Sequence, residues 1–255
     1  MATRRWPFLD HPGPLAFAHR GGIEAAPENT MAAFEAAVRL GYRYLETDVH
    51  ATSDGVLAAF HDDTLERVTG GGGRIGDMTW SELRAVRIDG GHSIPRLQDL
   101  LEAWPAARIN IDPKTDAAAR LLPDVLARTG AVDRVCIGSF SGRRLGWLRR
   151  TIGVRLCTSM GPLDVARLRL GSLGVPIGGF AAACAQVSTT YRGLPVADRA
   201  LVGYAHRLGL QVHVWTINDE AEMTRLLDLG VDGLMTDRPA ALKQVLEARG
   251  QWTSP

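Results

Sequence analysis

The chain has 255 residues, 45% of them hydrophobic and 22% charged, with 29 basic against 28 acidic side chains and a formal net charge of +1. That size and balance fit one large globular domain and exclude a disordered chain, while the near-zero charge excludes a global field that would draw nucleic acid or an anionic membrane. Cys136, Cys157 and Cys184 are scattered through apolar runs without metal-ligand spacing and read as buried free thiols; with no signal-peptide core and no apolar run of about 20 residues, the expectation is a cytoplasmic protein without a stable membrane anchor.

Residues 1–13, punctuated by Pro7, Pro12 and Gly13, read as a short extended arm before a domain spanning 14–255. Leu15-Ala-Phe-Ala18 reads as a first strand, closed by His19-Arg20-Gly21-Gly22, where glycine lets the backbone turn tightly beneath a ligand. Pro27-Glu28-Asn29-Thr30 then opens a helix over about 31–40, with Asn29 or Thr30 as N-cap and Gly41 as terminator. Glu28 reads equally as a first-turn acid or as a site residue.

Next comes the stretch on which the rest depends. Tyr44, Glu46 and Asp48 alternate with Leu45, Thr47 and Val49, so an extended strand points both acids to one face. Asp54-Gly55 between two β-prone runs predicts a hairpin with a two-residue turn, a register that places Asp48 opposite His61. A lone E-x-D pair is ordinarily a solvated strand face, but further charged groups close other apolar runs. Residues 64–92 form a short insertion containing Gly70–Gly73, which lacks the order and the Lys of a P-loop; it reads as a flexible loop with one helix at 81–86, a candidate lid, with His92 on its surface.

A helix at about 97–104 precedes a regular alternation. Strands are predicted near 108–112, 134–138, 154–158, 185–188, 211–216 and 232–236, and helices near 117–128, 141–150, 163–170, 196–208, 219–228 and 239–248. The arginine pairs at 143–144 and 149–150 read as the charged outer face of a helix. With the strands at 15–19 and 43–49 the count reaches eight, which argues for an α/β fold of the closed (β/α)8 TIM-barrel type, with a β-hairpin extension after strand two.

In such barrels the C-terminal ends of the strands face the active site. His19, Glu46, Asp48, Asp112, Lys114 and Trp215 all fall there, on strands one, two, three and seven. Trp215 also reads as a plug for the barrel mouth, His213 as an interior polar residue with a partner, and Asp237 before Arg238-Pro239 as a helix N-cap. Glu46, Asp48 and Asp112 offer hard oxygen donors suited to Mg²⁺, Ca²⁺ or Mn²⁺. Three converging carboxylates repel unless one divalent cation offsets them, with Arg20 and Lys114 balancing the remainder and a phosphodiester anion. His19 and His61 supply a proton acceptor and a proton donor, worth roughly 10²–10⁴-fold in rate.

His19-Arg20-Gly21, Pro27-Glu28-Asn29-Thr30, Glu46-Thr-Asp48, His61-Asp62, Lys114, Trp215-Thr-Ile-Asn218 and Gly233-Leu-Met-Thr-Asp237 together resemble the glycerophosphodiester phosphodiesterases across nearly the whole chain. The resemblance implies a barrel of the phosphatidylinositol phospholipase C-like type and metal-dependent hydrolysis of small glycerophosphodiesters to sn-glycerol 3-phosphate and an alcohol, in lipid and glycerol metabolism. It implies His19 and His61 as the acid–base pair, Glu46, Asp48 and Asp112 as metal ligands, and Arg20, Lys114 and Trp215 as substrate-binding residues. One departure stands out: Asp112 precedes Pro113-Lys114 where the family usually has Glu, one methylene longer. The alternatives are a lysophospholipase D, for which Met78, Trp80 and Phe180 are candidates for an acyl groove and also for ordinary local packing, and a non-catalytic barrel that binds a phosphorylated ligand.

Overall fold

The computed structural model describes residues 6–253, and residues 1–5 of the expected arm lie outside them. Eight strands run parallel in the order Cys157–Thr158, Val135–Ile137, Arg108–Pro113, Tyr44–Ala51, Leu15–Ala18, Gly233–Thr236, Gln211–Val214 and Cys184–Val187. A parallel bridge between Ser159 and Cys184 joins the two end strands and closes the barrel. There the Ala183 N–H donates to Thr158 O (2.9 Å) and the Met160 N–H to Cys184 O (3.0 Å). The eight-strand reading is borne out, and most helices fall within a few residues of expectation, including Met31–Arg39, Asp116–Arg128, Gly142–Ile152 and Pro239–Ala248. Their start signals act as expected: the Thr30 hydroxyl accepts from the Ala33 N–H at 3.2 Å, so Thr30 rather than Asn29 is the cap.

Three apolar clusters hold the molecule. The largest lies between the strands and the outer helices and includes Phe34, Leu45, Ile109, Ile111, Leu122, Val212 and Leu242. A second fills the barrel interior with Phe8, Leu9, Leu15, Phe17, Tyr44, Met235 and the three cysteines, which are free and buried. The described part of the arm is therefore not merely extended: Pro7–Leu9 is a 3₁₀ turn, and Phe8, fully buried, stands edge-on to Tyr44 with ring centroids 5.3 Å apart. The Tyr44 hydroxyl donates to Phe8 O at 2.9 Å, which ties this floor to strand two. Above it the Gln186 amide donates to Asn110 Oδ1 at 2.8 Å and His213, fully buried, lies 3.1 Å from Gln211 Oε1, the partnered interior histidine anticipated.

The third cluster belongs to the insertion. Leu65, Val68, Ile75, Leu83, Ile88 and Ile94 pack with Ala58 and Phe60 of the hairpin arm. Instead of a flexible loop with one helix, the segment holds two short α-helices, Glu66–Thr69 and Trp80–Leu83, a 3₁₀ turn at Ile75–Asp77 and a two-stranded ribbon, Arg87–Ile88 with His92–Ser93. Its apolar residues recur at no helical or strand period, which is why the sequence pattern missed a small core. The hairpin also differs. Strand two pairs with Leu57–Ala59 in the register Val49↔Ala59, and the Thr52 N–H donates to Val56 O at 2.9 Å, so the turn has three residues, not two. Asp48 then lies opposite Phe60, whose N–H donates to Asp48 O at 3.0 Å, and His61 is displaced by one residue. The arginine face is mixed as well: Arg144 turns in to Asp116 (2.7 Å) and Arg149 to the Thr158 hydroxyl (2.8 Å). Among the described residues no helix is long and apolar enough to cross a membrane.

Candidate active site

The parallel register brings the strand ends together. Asp48 on strand two is paired with Asp112 on strand three, and Glu46 with Asn110. Lys114 Nζ bridges the first pair, 2.6 Å from Asp48 Oδ1 and 2.9 Å from Asp112 Oδ2. His19 and Arg20 leave strand one through a tight turn in which Arg20 adopts φ +54°. This left-handed conformation costs a side-chain-bearing residue roughly 1–2 kcal/mol, and it aims the Arg20 N–H at Glu46 Oε2, 3.1 Å away. Gly21 must be glycine here, since at φ +83° a Cβ would stand 2.8 Å from Phe34 N. Arg20 Nε lies 3.1 Å from Asp48 Oδ2, an ion pair without hydrogen-bond alignment.

Both histidines are held through Nδ1 by a carboxylate. His19 Nδ1 is 2.6 Å from Asp237 Oδ1, and His61 Nδ1 is 2.5 Å from Asp62 Oδ1. On its other side His19 presents Nε2 3.8 Å from Glu46 Oε2. Asp237 is thus no N-cap: Arg238 takes that position without a side-chain cap bond, and the second oxygen of Asp237 accepts from the Asn218 amide at 2.8 Å. Its signal in the sequence was its place just past the end of a strand, which it shares with His19, Lys114 and Trp215. Glu28 lies before the Thr30 cap and so is no first-turn acid; it stands beside Arg20, accepting from its Nη1 at 3.0 Å. Asn29, at φ +55°, donates to Asp48 Oδ2 at 3.4 Å and accepts from the Thr47 hydroxyl at 2.8 Å. His50 also went unnoticed, although it shares the strand parity of Glu46 and Asp48; buried, it lies with Nε2 3.0 Å from His61 O.

Trp215 sits just past strand seven, its N–H donating to Val187 O at 3.1 Å and its ring edge-on to Phe140 at 5.8 Å. It packs on the interior cluster from above. Of the acyl-groove candidates, Met78 and Trp80 pack into the insertion core and Phe180 lies under Arg167 against the outer core, all local packing.

Electrostatically the centre is a set of buried acids under incomplete compensation. Burial, then the charge of Asp48, pushes Glu46 up to about 7, against the pull of His19, Arg20 and Lys114. For Asp48 burial acts upward but Lys114 and Arg20 outweigh it, so the group is lowered. Burial raises Asp112 against the pull of Lys114. Burial alone would lower His19, but Glu46 and the Asp237 hydrogen bond more than offset it and the imidazole is raised. Among the described residues no three Asp, Glu, His or Cys side chains converge as a ready-made metal cage, and the Lys114 ammonium lies between Asp48 and Asp112. The donor chemistry nevertheless fits a hard divalent cation: only carboxylate oxygens, from adjacent strands, in a pocket where burial and the charge of Asp48 raise Glu46.

Comparison with known proteins gives a consistent picture. The model of the glycerophosphoryl diester phosphodiesterase family matches residues 19–241. A probable glycerophosphodiester phosphodiesterase of Mycobacterium tuberculosis is 41% identical over 254 residues, covering 96% of this chain and 95% of that protein. A human lysophospholipase D is 29% identical, over 89% of this chain and 84% of its own length. Among solved structures, a putative glycerophosphoryl diester phosphodiesterase from Silicibacter pomeroyi superimposes with a TM-score of 0.81 at 24% identity, covering 97% of this chain and 100% of that one, which establishes the shared barrel.

Proposed function

The chain belongs to the glycerophosphoryl diester phosphodiesterase family and is a glycerophosphodiester phosphodiesterase, and on that premise we propose that it cleaves small, water-soluble glycerophosphodiesters to sn-glycerol 3-phosphate and an alcohol with a divalent cation and two histidines. The observation that carries the reading is the matched pair of Nδ1–carboxylate contacts, His19 with Asp237 and His61 with Asp62. Each fixes a tautomer and a ring orientation and leaves Nε2 as the working nitrogen. One imidazole accepts the proton of the attacking oxygen while the other donates a proton to the departing alkoxide, so that neither oxygen carries full charge.

Arg20 and Lys114 bind the phosphoryl oxygens, and Trp215 lines the approach. Glu46, Asp48 and Asp112 would hold the cation, which when bound neutralises these acids and stabilises charge gathering on the phosphoryl group. Lys114, which bridges Asp48 and Asp112, would supply the ammonium that faces the phosphate. Asp112, one methylene shorter than the usual Glu, would supply the third of these carboxylates, directly or through a water.

The test is product analysis by phosphorus NMR with the purified protein, a divalent cation and a panel that includes glycerophosphocholine, glycerophosphoethanolamine and a lysophospholipid. Release of sn-glycerol 3-phosphate from the deacylated diesters, faster than cleavage of the lysolipid, is the expected outcome. Faster turnover of the lysolipid assigns a lysophospholipase D instead, and no turnover of any member sinks the reading.

A further inference from the structure

We propose that Arg67, on the Glu66–Thr69 helix of the insertion, is a positioning residue that fixes the acid–base His61 and the anion-binding Arg20 relative to each other. The insertion then sets the catalytic geometry and does more than cover it. This rests on the reading above, in which His61 and Arg20 act on the substrate.

One guanidinium grips two carboxylates. Arg67 Nε lies 2.5 Å from Asp62 Oδ2, Nη1 lies 3.0 Å from Glu28 Oε2 and Nη2 lies 2.6 Å from Glu28 Oε1. Each carboxylate hands the constraint onward with its inner oxygen. Asp62 Oδ1 meets His61 Nδ1 at 2.5 Å, and Glu28 Oε1 also accepts from Arg20 Nη1 at 3.0 Å. Arg20 in turn reaches Asp48. The chain of contacts therefore runs His61, Asp62, Arg67, Glu28, Arg20, and its members come from two stretches of the chain, the connection after strand one and the segment that leads from the hairpin into the Glu66–Thr69 helix. No other bond among the described residues links the His61 side to the Arg20 side through charged groups outside the carboxylate centre itself.

Two features separate this from an ordinary surface ion pair. The planar fork of an arginine offers donors in fixed directions, so that both acids are oriented as well as neutralised, which a lysine's point charge does not do. The helix bearing Arg67 is itself anchored: Leu65 and Val68 on either side are buried in the insertion core. The Arg67 side chain is about half exposed, at 47%, so its removal should cost the fold little, whereas two working groups lose their shared reference.

The test compares Arg67→Met and Arg67→Lys with the unsubstituted full-length protein, with the cation supplied, measuring kcat and KM on glycerophosphocholine and the thermal midpoint. Expected for Arg67→Met is a kcat lower by about 10–100-fold and a KM raised several-fold, with the melting temperature within a few degrees; Arg67→Lys recovers only part of kcat. In Arg67→Met, adding Glu28→Gln or Asp62→Asn should slow the enzyme by a smaller factor than the same change does in the unsubstituted protein, because the part of each effect that passes through Arg67 is already lost, while the direct contacts of Asp62 with His61 and of Glu28 with Arg20 are still there to lose. Wild-type kcat and KM in Arg67→Met, or full multiplication of the single effects, overturns the inference. Should Arg67→Met fail to fold, Glu28→Gln and Asp62→Asn read the two arms separately, and wild-type kinetics in both overturns it equally. His61→Ala separates the levels: if it retains activity the functional reading itself falls, whereas an inactive His61→Ala beside a normal Arg67→Met removes the positioning role alone.

Discussion

His19 and Asp237 stand 218 positions apart in the chain and share one hydrogen bond of 2.6 Å, closing the first strand end onto the last. Strands one and eight are register partners from Leu15↔Gly233 to Ala18↔Thr236, so each residue simply continues its own strand by one position. Barrel closure alone makes the pair.

Asp237→Asn should therefore act on the histidine and hardly on the fold. An amide at this position no longer stabilises the imidazolium and permits the wrong tautomer, so kcat is expected to fall by about 10²–10³-fold with KM changed much less. The pH–rate profile checks the assignment: loss of the carboxylate should move the limb due to His19 downward, because Asp237 is one of the groups that raise it. An unshifted profile with unchanged kcat would remove Asp237 from the machinery.

Removal of divalent cations with a chelator, followed by exchange into chelator-free buffer, should abolish turnover, and Mg²⁺, Ca²⁺ or Mn²⁺ should restore it. Full activity in protein shown by elemental analysis to be metal-free refutes the cation-binding role of Glu46, Asp48 and Asp112.

Stability of the metal-free protein should depend on pH through Glu46. The group rises from 4.5 to about 7 on folding, so the folded state binds its proton more tightly than the unfolded chain does. Its contribution is full below about 4.5 and is lost as pH climbs through about 7, a difference on the order of 3 kcal/mol across that window. Glu46→Gln should then melt higher than the parent at pH 8 and about equally at pH 4.5, while binding cation poorly and losing activity. Equal melting at both pH values contradicts the burial account.

Phe8→Ala tests the barrel floor. Emptying a fully buried ring position next to Phe17 and Tyr44 should cost about 3–5 kcal/mol and lower the thermal midpoint markedly. A midpoint unchanged in calorimetry would mean the turn at Pro7–Leu9 is dispensable.

Most of the scaffold could be read from residue patterns because each βα unit declares itself locally: an apolar run, a turn, an N-cap such as Thr30, Thr115 or Ser141, then a helical period. His19, Glu46, Asp48, Asp112 and Lys114 were legible because parity within a strand and position at its end are both local. What stayed hidden depends on partners brought together by folding. Asp237 looked like a cap because Pro239 follows it, and only barrel closure shows that its carboxylate serves His19. Arg67 lay in a segment with no period, and its two carboxylates arrive from elsewhere. Asp54-Gly55 fits both a two-residue and a three-residue turn, and the longer one found here is accompanied by bonds to the insertion, the Ser53 N–H donating to Met78 O and the Trp80 N–H to Asp54 Oδ1, whose partners a local reading of the sequence does not bring together.

Strand two carries Tyr44 at the floor and Glu46 and Asp48 at the mouth on successive inward positions, with Tyr44 fastened to Phe8 below. It works as a ruler: four residues, about 13 Å of extended chain, set the height at which the reaction takes place above the plug. Lengthening or trimming this segment by even two residues would keep every side chain on its proper side and still deliver the acids to the wrong level.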